Sequence, residues 1–255
     1  MTKRRKFIFS SLLLSLGLLS TQFVPIDFRY VAVLALFFIS YLISAWALFD
    51  DLKGVEWLTI VPLPALYATS VSLFYFLLPA GTSARIIILT LFGLGLYALY
   101  LTGNIFSIAA IRTIQLLRAA HAVGFLLTLV TLVFFFNTIF SFRHNFAFNG
   151  LATGLITFPL VASALWSVKL ENHFDKKLYW YAGVISLLVL ETAIAISFMP
   201  ISVWVASLFL VTVVYVSLGI LQHDLSDRLF DKTLQEYVGV GVFVIIATIL
   251  VTQWK

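Results

Sequence analysis

The chain of 255 residues is 62% hydrophobic and 11% charged, with a mean hydropathy of +1.08; this excludes a water-soluble domain, in which about half the residues are apolar and about a quarter charged. It contains no cysteine, which excludes disulfides, thiol redox chemistry and cysteine-ligated metal centres. The formal net charge of +5 would suggest a polyanion partner in a soluble protein, but in a chain this apolar it bears on orientation in a bilayer, and no nucleic-acid partner is expected.

A hydrocarbon core about 30 Å thick takes about 20 helical residues to cross. Nine apolar runs meet that measure: 7–24, 30–49, 57–78, 85–101, 119–141, 148–168, 178–199, 201–221 and 238–254. They predict an all-α, polytopic transmembrane helical bundle, a single integral membrane domain over residues 1–255 with the lipid bilayer around it. The first run follows Lys3-Arg4-Arg5-Lys6. It reads as an uncleaved helix, because Leu18 stands two positions before Ser20 where a leader-cleavage site would need a small residue. With the N-terminus inside, Arg29, Arg85, Arg143 and Lys255 fall outside and the other twelve of the 16 basic residues (16 − 4) fall inside. That asymmetry predicts a cytoplasmic N-terminus and an external C-terminus in a prokaryotic cytoplasmic (inner) membrane. Trp46, Trp57, Trp166 and Trp180 mark the inner boundary and Trp204 and Trp254 the outer one, since indole rings favour the headgroup level.

Asp50 and Asp51 follow the second run on the cytoplasmic side. Pro62 and Pro64 in the third run and Pro159 in the sixth remove backbone donors and predict kinks. Residues 103–118 are too polar to cross. Asn104, Ser107, Arg112, Gln115 and Arg118 fall on one arc of a helical wheel, so the segment reads as an interfacial helix. Arg112 and Arg118 are candidate contacts for lipid phosphates or a phosphorylated substrate.

Glu191 is the one acidic residue inside a run. Insertion scales put the cost of an ionised group at the centre of a span at about 2.5–3.5 kcal/mol, which makes it a candidate functional residue. Thr90, Ser207 and Ser70 lie at similar depth, and no basic side chain does. Glu191 therefore reads as a neutral interhelical hydrogen-bonding residue, with a proton- or cation-coupling role as the alternative.

The loop before the last run reads His223-Asp224-Leu225-Ser226-Asp227-Arg228-Leu229-Phe230-Asp231-Lys232. As a helix it would bring Asp224, Asp227 and Asp231 within about 60° of one another, a spacing that repels unless Arg228, Lys232 or a hard cation such as Mg²⁺ compensates. The Asp-x-x-Asp-x-x-x-Asp run resembles the first aspartate-rich motif of the membrane-embedded aromatic prenyltransferases. That resemblance implies Mg²⁺-dependent chemistry on a lipid diphosphate at a cytoplasmic mouth to which Asp50 and Asp51 would add. In that family the run follows the second helix and an asparagine precedes it; here it precedes the last helix and His223 stands at the asparagine position. His121, His144, His173 and His223 lack metal-site spacing on one helix, and the absence of a lysine inside any run excludes a retinal Schiff base. These features together predict a non-enzymatic membrane component without a cofactor, either an accessory subunit of a membrane-protein partner or a carrier of lipophilic or uncharged solutes. The Mg²⁺-dependent enzyme and the Glu191-coupled transporter are the alternatives.

Overall fold

Helix is the only regular structure among the described residues, as hydrocarbon demands of a chain that must satisfy its backbone hydrogen bonds internally. The computed structural model describes residues 2–50, 52–78, 81–110, 115–171 and 175–252. The helices are α1 (Lys3–Thr21), α2 (Arg29–Leu48), α3 (Glu56–Thr59), α4 (Pro62–Tyr75), α5 (Thr82–Ala109), α6 (Leu117–Ser141), α7 (Phe146–Lys169), α8 (Lys176–Ile196), α9 (Val203–Leu225) and α10 (Asp231–Val251), with a 3₁₀ turn at Ile26–Phe28. Among the described residues 8 helical segments are long and apolar enough to cross a membrane, α3 and α4 counting together as Glu56–Tyr75. α1 stands outside that set because its first turn is Lys3-Arg4-Arg5-Lys6; with it, the plan is a polytopic bundle of about nine helices.

The outward surfaces are apolar. Leu155, Trp180, Phe243 and Leu250 are 70–79% exposed, a liability in water and the expected state of side chains against lipid. Many of the buried polar side chains are serines and threonines, which bond back to their own helices or across to neighbours, as at Ser44, Thr128, Thr153 and Ser207, in keeping with the small polar residues that line helix contacts in membranes.

The chain divides into two compact units, Met1–Thr131 with Leu170–Phe174, and Leu132–Lys169 with Asp175–Lys255. In the first, α1 packs on α5 and α2 on α4. Tyr100 is fully buried there, its ring 5.9 Å from Phe7 and its hydroxyl 3.1 Å from Ser44 Oγ. The Tyr67 hydroxyl donates to the Leu91 carbonyl at 3.3 Å. Gly95 makes room for it, because a Cβ at that position would stand 2.3 Å from Tyr67 Oη. In the second unit α7 and α8 form the most extensive pair. Gly150 and Gly154 share a helix face one turn apart and let the backbones close, since a Cβ on either would meet a backbone carbonyl of α8 at 3.2 Å, Leu190 and Ser186 respectively. Asn149 Nδ2 donates to Ser197 Oγ across the same pair at 3.1 Å.

Three expectations change. The helix over 103–118 does not begin at Gly103: α5 continues without a break to Ala109. Ser107 of its polar arc is buried against protein, as are Thr102 and Gly103 beside it, and a Cβ on Gly103 would stand 2.7 Å from Ile60 Cγ2, whereas Gln115 and Arg118 are exposed. The proline pair produces a break instead of a kink within a helix, with Pro62 opening α4 at a position where its missing N–H costs nothing. Pro159 lies inside α7, where it removes one backbone donor as expected. Trp166 is 3% exposed and so packs in the interior, whereas Trp46, Trp180 and Trp204 are exposed as a headgroup belt requires. Trp254 lies outside the described residues.

Candidate functional site

Asp224 is in the last turn of α9, and the aspartate run does not continue as a helix beyond it. The Arg228 N–H donates to the His223 carbonyl at 2.9 Å and the Asp227 N–H to the Asp224 carbonyl at 3.0 Å, the paired bonds that close a helix C-terminus around a residue in left-handed backbone. Asp227 is that residue, at φ 53°, a conformation aspartate tolerates better than most. Asp231 then opens α10. The single acidic face expected of Asp224, Asp227 and Asp231 is therefore divided over a helix end, a turn and a helix start. Asp224 instead accepts from the Tyr181 hydroxyl at 3.4 Å and lies 3.9 Å from Lys177 Nζ.

Asp50, in the first unit, is engaged by Lys6. The ammonium donates to its carboxylate at 2.7 Å and also lies 5.7 Å from the Trp46 ring, tying the start of α1 to the end of α2. That bond holds the Asp50 carboxyl below the usual carboxylate range. A lowered value means that the pair stabilises the fold above the ordinary carboxylate pKa and loses its effect as pH falls through the lowered one. Asp51 and Arg112 lie outside the described residues, as does His173. Arg118 is exposed at the start of α6. Among the described residues no group of three or more histidine, aspartate or glutamate side chains is placed to hold a metal ion.

Glu191 is exposed on α8, not set among interhelical hydroxyls. The rotation of α8 explains this. Ala182, Ile185, Val189, Ala193 and Ile196 form its buried face, which leaves Trp180, Val184, Leu187, Leu188, Glu191 and Phe198 along an outward stripe. Glu191 is the one charged residue of that stripe, about 8 Å before the C-terminal end of the helix at 1.5 Å per residue. Beside it, α8, α9 and α10 enclose an apolar groove of about 320 Å³ lined by Leu188, Thr192, Phe209, Thr212 and Ile245 among others.

Among the described residues the most enclosed carboxyl is that of Glu56, which the sequence pattern does not single out. Glu56 opens α3 and is 1% exposed. It accepts a short hydrogen bond from the Ser107 hydroxyl on α5 and a second from the Lys53 N–H at 3.0 Å. Gly54, at φ 50°, provides the left-handed turn that brings the Lys53 N–H back onto the carboxylate. The arrangement is a polar clamp between the start of the third span and the extended end of α5. Its signal in the sequence is slight: a glutamate directly before the apolar run that starts at Trp57, with its partner 51 positions away.

Taken together, the 8 apolar helical segments, the lipid-type exterior and the hydroxyl-lined helix contacts define a multi-pass membrane protein. The family described as a protein of unknown function, DUF5656, matches residues 14–251, and the chain belongs to it. The match runs from the middle of α1 to the end of α10, so family membership extends over both units. No curated protein and no solved structure matches the chain.

Proposed function

We propose that the protein is a non-enzymatic subunit of a membrane assembly, held in a prokaryotic cytoplasmic membrane with its N-terminus inside. Its partner is a membrane-spanning helix that offers a basic or amide donor to Glu191. The observation that supports this reading is the outward stripe of α8: a carboxyl on an otherwise apolar lipid-facing surface is costly, and a donor from a neighbouring helix offsets that cost. α10 adds to it. Only 6% of its apolar stretch is buried, and it packs on α9, so most of a 21-residue helix awaits either lipid or a partner. The twelve-to-four division of basic residues supports the orientation. A coupled transporter would need Glu191 to face an enclosed path, and a diphosphate enzyme would need converging aspartates; neither reading gains an observation from the geometry above.

Photo-crosslinking from Leu188, in cells that express the protein at its native level, tests the proposal. The expected result is one adduct with a distinct membrane protein of defined mass, lost when Glu191 is replaced by leucine and retained with glutamine, which keeps a donor and an acceptor. An adduct at twice the protein's own mass would identify a second copy as the partner and overturn the heteromeric reading. Lipid adducts alone would overturn assembly through this face altogether.

A further inference from the structure

The end of the first unit remote from Lys3–Lys6 carries four buried polar atoms without a hydrogen-bond partner. The packing of α1 fixes the register: Phe7 meets Tyr100 and Ser15 meets Gly93 on α5, while Lys6 meets Asp50 and Gly17 meets Leu36 near or along α2. Extended to its C-terminus, this antiparallel arrangement brings Gln22 to the level of Arg85 at the start of α5 and Arg29 at the start of α2. Tyr75, the last residue of α4, completes the end. The Arg29 guanidinium lies 5.1 Å from the ring of Phe76, the next residue, and Arg85 is near enough for its charge to act on the Tyr75 hydroxyl.

Gln22 Nε2, Arg29 Nε, Tyr75 Oη and Arg85 Nε are all buried atoms without a hydrogen-bond partner, and Tyr75 as a whole is 4% exposed. Buried polar atoms in folded proteins are nearly always paired. The backbone adds to the set. Gly81 caps α5 with no side-chain acceptor, leaving the first N–H groups of a 28-residue helix and the positive end of its dipole at the same place. Asp27 is exposed, and among the described residues it forms no ion pair with either arginine. Two guanidinium groups, a phenol, an amide and a free helix N-terminus make a set rich in donors and poor in acceptors. Guanidinium forks match oxyanions that accept two bonds at once.

We infer that this end of the first unit binds a phosphate group, with Arg29 and Arg85 on its anionic oxygens and the Tyr75 hydroxyl and Gln22 amide donating to those that remain. The phosphate belongs either to a lipid headgroup or to a small soluble molecule, and both present the same oxygens to the site. The site is independent of the α8 stripe, so it stands or falls apart from the partner proposal.

Calorimetric titration of the full-length protein in phosphate-free, uncharged detergent tests it, with dioctanoyl phosphatidic acid and inorganic phosphate as separate probes. Saturable binding of the lipid alone identifies a headgroup site; saturable binding of inorganic phosphate as well identifies a site open to soluble phosphates. In either case Arg29→Gln or Arg85→Gln should weaken binding about tenfold or more, Tyr75→Phe should weaken it severalfold, and Lys232→Gln, in the first turn of α10 in the second unit, should leave it unchanged. Tyr75→Phe removes one oxygen and keeps the packing, so it reads the site even where an arginine variant fails to fold. Absence of saturable binding for both probes, or equal binding by wild type and the Tyr75→Phe and arginine variants, would overturn the inference.

Discussion

Replacing Gly154 with leucine is expected to separate α7 from α8 and cost about 3 kcal/mol or more, at the upper end of what overpacking a closed interface does. Even a single added carbon there would stand 3.0 Å from Leu190 Cβ and 3.2 Å from the Ser186 carbonyl. The carbonyl is backbone in the middle of a helix, so it can yield only if α8 moves as a body. At Gly150 the nearest atom to an added carbon is Ile194 Cγ1 at 2.6 Å, with the Leu190 carbonyl at 3.2 Å. Ile194 can change rotamer and the carbonyl cannot, so Gly150→Ala should cost about 1 kcal/mol and Gly150→Leu as much as Gly154→Leu. Because the two glycines serve one interface, the double leucine variant should lose less than the sum of the two. Reversible unfolding in mixed detergent micelles, followed by tryptophan fluorescence, gives these differences directly; an unchanged midpoint for Gly154→Leu would show that the helices do not close at these residues.

The second large effect is expected at Glu56. Glu56→Ala removes the acceptor of both the Ser107 hydroxyl and the Lys53 N–H and should destabilise the first unit by about 3 kcal/mol, since a hydrogen bond contributes about 0.5–1.5 kcal/mol and a buried donor left alone costs about 1–3. Glu56→Gln retains one carbonyl oxygen and should cost about 1 kcal/mol. A double-mutant cycle with Ser107→Ala isolates the pair, and a coupling of about 1–2 kcal/mol is the expected value. Coupling indistinguishable from zero would mean that the clamp does not hold α3 to α5.

The spans were legible because a bilayer sets their length: α2 at Arg29–Leu48 and α6 at Leu117–Ser141 lie within two residues of the apolar runs that announce them. What hydropathy cannot give is the rotation of a helix about its own axis. α8 is apolar on nearly every side, so nothing in its pattern says that Ala182 and Val189 turn inward and Glu191 outward; the glycines of α7 decide that. The same gap hid the clamp. Ser107 and Asn104 read as one polar arc of a surface helix, and only the approach of α3, with Gly103 against Ile60, reveals that Ser107 is buried on Glu56. Chain order misled at the aspartate run for a different reason. Regular spacing predicts a shared helical face, but the bonds from Arg228 and Asp227 that end α9 divide the three carboxylates. Arg29, Arg85, Tyr75 and Gln22 are scattered over more than 60 positions of sequence and form a set only because four helices of the first unit end at one level.

In the proposed topology the N-terminus and the basic loops lie in the cytoplasm, and the absence of cysteine allows that orientation to be tested without a background. Single cysteines at Lys53, Lys176 and Ser226 should stay unlabelled by a membrane-impermeant maleimide in intact cells and label once the cells are broken. Lys53 serves in place of its neighbour Gly54, whose φ of 50° disfavours any side chain. Single cysteines at Gly81 and His144 should label in intact cells. The reverse pattern, or labelling at all five positions in intact cells, would contradict the proposed topology.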